Sequence, residues 1–464
     1  MEIYLTNSTT HKKEKFIPLD YNDIKIYCCG PTVYDKLHIG NYRSVVIFDS
    51  WYRLLKLIYP HVTYARNITN IDDKIINKAK ELNISIEQLT NDVIVEFHEN
   101  CAALHCLAPS YEPRVSEHIE SIIDMILQLI NRKHAYISNN HVFFDITSYK
   151  DYGSLSGRTL SNMIAGHRVE TQEDKKHPMD FVLWKPSKDG EEKASYNSPW
   201  GLGRPGWHIE CSAMIDKILG KNIDIHCGGN DLIFPHHENE VAQSKCANDN
   251  VAFASYWLHN GMITVDGVKM SKSLGNIIHL EEIDDLEALR LLFLSTHYRK
   301  PLDFNKKKYQ DNLSIIKKIK SIFNQHPNVR SAPLEECYDI MSFICNDLNL
   351  APIFSLIHEY ISEIHKGNVQ NLSKLRFICD FLSVAPCDKS IHGVSTLNYD
   401  GINIEYSAEV NYYILSYVKK RQDYKRQSMW QKADEVRKQI YNLGYTLEDS
   451  KNTVLVKKTN QGNK

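Results

Sequence analysis

The sequence has no long hydrophobic run. The apolar stretch Leu289 to Leu294 is short and broken by Arg290, so nothing approaches the roughly 20 residues that span a bilayer. The opening segment, Met1 to Phe16, lacks an apolar core and is expected not to be a secretory signal. There is almost no net charge: 55 Lys and Arg stand against 57 Asp and Glu, a balance of −2. That excludes a globally basic nucleic-acid coat but not a local basic face. No internal repeat and no low-complexity tract occurs. The 11 cysteines are an odd number, which speaks against a fully paired disulfide framework and for reduced cytoplasmic thiols, one or a few of them binding metal. What is present, 464 residues with 42% hydrophobic and 24% charged, suits a globular chain of two to four domains.

Ile24 to Tyr27 reads as a short buried strand ending in a turn at Cys28-Cys29-Gly30-Pro31. A helix follows from His38-Ile39-Gly40-Asn41, with Val45, Phe48, Tyr52 and Leu55 on one apolar face. Val62 to Arg66 is the next strand, and Asp72-Asp73 opens a helix with Ile75, Ile76, Ala79 and Leu82 inward. This βαβ rhythm predicts an α/β fold with a Rossmann-like parallel sheet. Residues 1–100 are its first half. Residues 101–200 read as an insertion: a helix over Ile119–Ile130, a strand His141–Asp145, then polar loop including Lys185-Pro186-Ser187-Lys188-Asp189-Gly190. The second half, 201–305, has a helix over Trp207–Leu219, a strand Ile223–His226, and a hairpin arm Gly261–Val265 turning at Asp266-Gly267. Residues 306–385 carry four helical segments, Lys306–Phe323, Cys337–Leu348, Leu350–Lys366 and Val369–Val384, and read as a bundle. A linker from about Pro386 to Tyr406 begins the last portion, 386–464, which ends in a small helical, basic tail domain.

Three stretches carry chemistry. In Pro235-His236-His237-Glu238-Asn239-Glu240, Pro235 suits a first helical position, and His236 and Glu240, at i and i+4, share a face able to present nitrogen and oxygen to one metal ion. His237 and Glu238 are expected to point elsewhere. Taken alone, the pair fits a polar helix face as well. His38-Ile39-Gly40-Asn41, at a strand-to-helix turn, offers free N–H groups and a positive dipole end to an anion. Gly40 allows close backbone approach, and His38 and Asn41 can donate hydrogen bonds to a phosphate. Lys269-Met270-Ser271-Lys272-Ser273 follows the hairpin, where Lys269 and Lys272 can neutralise a triphosphate and Ser271 and Ser273 can bond its oxygens.

These motifs, on opposite halves of one sheet, resemble the HIGH and KMSKS signatures of class I aminoacyl-tRNA synthetases. More narrowly, four stretches resemble the cysteinyl-tRNA synthetases: Tyr27 to Asp35, Arg66 to Ile75, Gly203 to Met214, and Phe234 to Glu240. The resemblance runs from about residue 20 to 305 and more loosely to the tail. It implies ATP-dependent activation of cysteine and transfer to tRNA(Cys), with magnesium accompanying ATP. It also implies one zinc ion held by Cys29, Cys211, His236 and Glu240, selecting the substrate by its thiolate. Cys28 is the alternative to Cys29. By the same carry-over, Lys272 contacts the triphosphate, Thr69 and Trp207 line the cysteine pocket, Asp231 meets the ribose, and the bundle reads the anticodon. A cytoplasmic monomer is expected. Three positions depart from the family: Asn41 replaces the second histidine of HIGH, Cys227 replaces a glycine, and Asn70 an aspartate, to which no role is assigned. Two other readings are a ligase that passes cysteine to an amino-sugar acceptor and an inactive zinc-containing tRNA-binding protein.

Overall fold

A computed structural model describes residues 1–159, 162–163, 174–188, 191, 194–249, 251–385, 395–399, 402–406, 410 and 412–459, apart from the side chains of 272, 395–399, 412–413 and 416. An N-terminal hairpin, β1 (Tyr4–Asn7) and β2 (Lys12–Lys15), leads into β3 (Ile24–Cys28). Ile24, Ile26, Tyr27 and Cys28 are all buried, as expected of a strand covered on both faces. Helix α1 (Ile39–Ile58) follows, then β4 (Val62–Arg66), α2 (Asp73–Leu82) and α3 (Ile86–Ala103). Asp72 and Asp73 stand at the start of α2 as read, and Asp72 caps it by accepting from the Lys74 N–H.

The insertion contains α4 (Ile119–Asn131) and an antiparallel sheet of β5 (Ala135–Ser138), β6 (His141–Phe144), β7 (Phe181–Pro186) and β8 (Gly203–Pro205), in that order. The strand β7 corrects the loop reading: Lys185 and Pro186 end a strand whose Phe181, Leu183 and Trp184 are buried. Asp189 and Gly190 lie outside the described residues. The sheet also draws its last strand from beyond residue 200.

The chain returns through α5 (Trp207–Ile218), β9 (Ile223–Gly229), α6 (Glu238–Ala247) and β10 (Ala254–Asn260). The central sheet, ordered β10-β9-β3-β4, is entirely parallel. β11 (Ile263–Val265) and β12 (Val268–Lys269) form the hairpin at Asp266-Gly267, and α7 (Leu286–Leu294) and β13 (Leu302–Phe304) follow. The bundle comprises α8 (Lys306–Gln325), α9 (Tyr338–Ile344), α10 (Ala351–His365) and α11 (Leu372–Leu382).

The tail holds a four-stranded sheet, β14 (Ser395–Tyr399), β15 (Ile402–Tyr406), β16 (Tyr445–Asp449) and β17 (Thr453–Lys458), with α12 (Tyr412–Arg426) and α13 (Trp430–Asn442). The stretch read as a linker therefore supplies two strands where it is described; residues 386–394 and 400–401 lie outside the description.

Two cores sandwich the central sheet. One joins α1, α7 and the bundle, from Ile3 to Ala385. The other joins α4, α5, α6 and the insertion sheet. The tail has its own core around Ile404, Ile414, Val436 and Val456.

Candidate metal and nucleotide site

β3 ends by delivering two cysteines to opposite faces, since successive strand side chains alternate. Cys28 packs into the core on the α1 side, together with Cys227 from the neighbouring β9. Cys29 faces the other way, towards α5 and α6. The turn beyond is tight: a Cβ on Gly30 would lie 1.7 Å from the Asn67 carbonyl oxygen, and the Gly30 N–H donates to Asn67 Oδ1 at 2.8 Å. Cys211 sits in the second turn of α5, and Glu240 in the first turn of α6.

Four donors meet here. Cys29 Sγ is 3.8 Å from Cys211 Sγ and 3.4 Å from Glu240 Oε1, and His236 Nε2 is 3.0 Å from Glu240 Oε1. These separations match the edges of a zinc tetrahedron, about 3.8 Å between two sulfurs and about 3.5 Å between sulfur and oxygen, for bonds of about 2.3 and 2.0 Å. The donor chemistry, two sulfurs, a nitrogen and a carboxylate oxygen, fits the same ion. Among the described residues, Cys28 and Cys227 join neither this set nor the overlapping one of Cys29, His226, His237 and Glu240.

The four donors are electrostatically coupled to one another. Glu240 is held well below the usual carboxylate range: burial would raise it, but His226 and His236 outweigh that. Burial would lower His236, yet Glu240 and Cys211 raise it to about 10. Cys211 is lowered to about 6, chiefly by its hydrogen bond from Cys29, with His236 helping against desolvation. Burial pushes Cys29 up, and the neighbouring Cys211 adds to this.

The approach to α6 differs from the helix start that Pro235 predicted. Ile233–His237 is a π turn in which Phe234 is non-helical (φ −139°, ψ 131°), the Phe234–Pro235 peptide is cis, and the α-helix begins at Glu238. His237 consequently does not point away. Its Nε2 is 4.0 Å from Glu240 Oε1, and its Nδ1 meets His259 Nε2 at 2.7 Å. His226 Nε2 reaches Glu240 Oε2 at 2.8 Å and its ring stacks on Trp257. His208 Nδ1 lies 3.0 Å from His236 Nδ1, while Trp207 stacks on His236 at 4.3 Å between centroids. Sequence reasoning missed these supporting histidines; only their proximity to the metal motif along the chain signalled them. It also missed Glu210, which accepts from Thr69 Oγ1 at 3.2 Å.

Three of the metal donors, Cys29, Cys211 and His236, line a cavity of about 800 Å³, together with Thr69, Trp207, His38, Gly40, Asn41, Asp231 and Lys269. The signature turn is a reciprocal cap. Gly40 N–H donates to His38 Nδ1 at 3.1 Å, and His38 N–H donates to Asn41 Oδ1 at 3.1 Å. An acceptor at Nδ1 means that a neutral His38 carries its proton on Nε2, and the engaged oxygen leaves the Asn41 amide nitrogen as donor.

The second signature folds against the first. A Cβ on Gly40 would meet Met270 Cε at 3.1 Å, Ile39 N–H donates to the Ile278 carbonyl at 3.0 Å, and Lys36 pairs with Glu281 at 2.6 Å. Ser271 and Ser273 do not line the cavity but face each other, Oγ to Oγ 3.2 Å. Lys272 opens a 3₁₀ turn, Lys272–Leu274; the reading of its side chain lies outside what is described.

Residues 15–314 match the family described as tRNA synthetases class I (C) catalytic domain. The chain is 43% identical over 458 residues to the cysteine–tRNA ligase of Pelagibacter ubique, covering 97% of each. It is 44% identical over 460 residues to that of Rickettsia bellii, covering 97% of this chain and 98% of the relative. Among solved structures, it resembles Mycobacterium tuberculosis methionyl-tRNA synthetase in complex with methionyl-adenylate, with a TM-score of 0.55 at 14% identity over 78% of this chain and 89% of that one. It resembles equally the Agrobacterium radiobacter K84 agnB2 LeuRS in ternary complex with tRNA and LeuAMS, with a TM-score of 0.55 at 11% identity over 95% and 97%. At such identities these likenesses concern the fold.

Proposed function

The chain belongs to the cysteine–tRNA ligases, class I aminoacyl-tRNA synthetases, and from that premise we propose that its Cys29, Cys211, His236 and Glu240 hold the zinc ion that selects cysteine. The enzyme joins cysteine to tRNA(Cys), using ATP to form cysteinyl-adenylate and pyrophosphate. The observation that carries the proposal is the tetrahedral spacing of the four donors, three of which line the cavity. When bound, zinc supplies a soft acceptor that favours a thiolate over the serine hydroxyl.

The remaining roles belong to the chain. We assign Thr69 and Trp207 to the walls around the amino acid, and Asp231 to the ribose. His38, through Nε2–H, and Asn41, through its amide, donate to the phosphates, with Gly40 leaving room for them. Lys269 and Lys272 neutralise the triphosphate as pyrophosphate leaves, aided by Ser271, Ser273 and magnesium. No group need bond covalently to substrate; the work is alignment of the carboxylate with the α-phosphate and stabilisation of developing charge. We read residues 306–385 as the anticodon-reading bundle and the protein as a cytoplasmic monomer; no helix among the described residues is long and apolar enough to cross a membrane.

Cysteine-dependent ATP–pyrophosphate exchange, run beside tRNA charging, tests this reading. Both activities should depend on cysteine and be lost together on removal of zinc. Exchange without charging would point to a different acceptor.

A further inference from the structure

The first turn of α6 carries Glu240 and immediately follows His236, yet it is poorly secured by its own sequence. It emerges from a π turn, and its N-cap His237 makes no side-chain capping bond. The fastening comes from the insertion. Glu238 is fully buried (0% exposed). Its Oε1 accepts the Gly153 N–H at 2.9 Å and its Oε2 accepts the Ser156 N–H at 2.8 Å. The adjacent Asn239 accepts from the Tyr152 hydroxyl through Oδ1. Two consecutive residues of the helix thus hold three donors of one loop.

That loop is shaped for the task. The Arg158 N–H closes on the Gly153 carbonyl at 3.1 Å, and Ser154 N–H on that of Asp151 at 3.0 Å. Gly153 has φ +100°, and a Cβ there would lie 2.0 Å from the Arg158 carbonyl oxygen, so only glycine fits. The Arg158 guanidinium lies over the Phe234 ring, 4.7 Å from its centroid. The loop therefore grips the chain on both sides of His236, at Phe234 before it and at Glu238 and Asn239 after it.

We propose that Glu238 is a positioning residue for the metal site, which docks the Tyr152–Arg158 loop of the insertion across the start of α6 and so holds His236 and Glu240 in register. This rests on the zinc reading above and gives the insertion a part in it. Groups that orient metal ligands from outside typically change metal affinity by about 10–100-fold when removed.

The test uses the full chain, intact and as Glu238→Ala, Glu238→Gln and Tyr152→Phe. It measures zinc per chain after dialysis, zinc release to an excess of chromogenic chelator, and KM for cysteine and for ATP in pyrophosphate exchange. The intact protein should keep one zinc per chain. Glu238→Ala should release zinc at least about tenfold faster and raise the cysteine KM by a similar factor, with the ATP KM within about twofold and added zinc restoring the cysteine KM. Glu238→Gln, which keeps one accepting oxygen, should fall between. Should Glu238→Ala not fold, Tyr152→Phe combined with Arg158→Ala removes two other grips and should act in the same direction. An intact protein without zinc would overturn the metal reading and this proposal with it. A zinc-loaded intact protein whose folded variants match it in release rate, or lose cysteine and ATP affinity together, would overturn this proposal alone.

Discussion

Asn41 separates two tasks that one side chain performs at the signature turn. Its oxygen caps the helix by accepting from His38, and its amide nitrogen is left to donate. Asn41→Asp keeps the capping oxygen, loses the donor and adds negative charge beside the triphosphate. It should leave the melting temperature unchanged while lowering kcat of pyrophosphate exchange by about 10²-fold, the usual worth of one such donor. Asn41→Ala should also lose about 1 kcal/mol of stability with the cap. Full exchange by the aspartate variant would remove Asn41 from the chemistry. Lys272→Ala should lower kcat and kcat/KM together, because the contact is strongest as charge moves to the departing pyrophosphate; an unchanged kcat would dismiss that role. At this scale the sequence made His236 and Glu240 legible through their i, i+4 spacing, whereas Cys29 and Cys211 came only from resemblance. His237 was misjudged because helix geometry was assumed for a segment that forms a π turn, which brings its ring to Glu240 as well.

Elements were legible where periodicity was long. The apolar face of α1 and the acidic start of α2 follow from spacing and dipole. β7 was hidden because its four apolar residues are flanked by polar sequence, whereas β14 and β15 were overlooked although the sequence between them, Asp400-Gly401, is the same turn dipeptide as Asp266-Gly267. What fastens elements to one another is less visible still. Arg290 of α7, fully buried, donates to the Leu382 carbonyl at 2.6 Å, to that of Leu104 at 2.8 Å and to Asp49 Oδ2 of α1 at 2.5 Å. Burial pushes the Asp49 carboxyl up, but Arg290 and Arg53 outweigh it and hold the group below its ordinary value. A depressed carboxylate contributes stability that is present above the unfolded pKa, about 3.9, and disappears as pH falls through the lower folded value. Asp49→Asn should therefore cost about 3–5 kcal/mol near neutrality by stranding Arg290, and the gap from the intact protein should narrow below about pH 3.9. Urea unfolding at both pH values measures this; a gap independent of pH would contradict the assignment.

For the molecule as a whole, the shared core sets where the chain can be divided. Because one core runs from Ile3 to Ala385 and includes Ile315, Ile353 and Leu375 beside Val46 and Leu54, ending the chain at Phe304 should expose that core and prevent folding. Ending it at Ala385 removes only a unit with its own core. That shorter chain should remain folded, keep pyrophosphate exchange, and charge tRNA at least about tenfold more slowly, the worth of one lost stacked base. Undiminished charging would exclude the tail from tRNA binding. The interruption of the βαβ rhythm is where the sequence reading placed an insertion, whereas the packing of residues 306–385 into one core with α1 was not legible, since packing between distant segments leaves no local pattern. The central claim, that the four convergent donors make the enzyme choose cysteine, is met most directly by one measurement. Zinc content and exchange rates with cysteine and with serine are determined on the same samples of the intact protein and of Cys211→Ala. The account predicts one zinc and strong preference for cysteine in the first, and loss of both in the second with ATP binding retained. A folded, zinc-free variant that still preferred cysteine as strongly as the intact protein would contradict it.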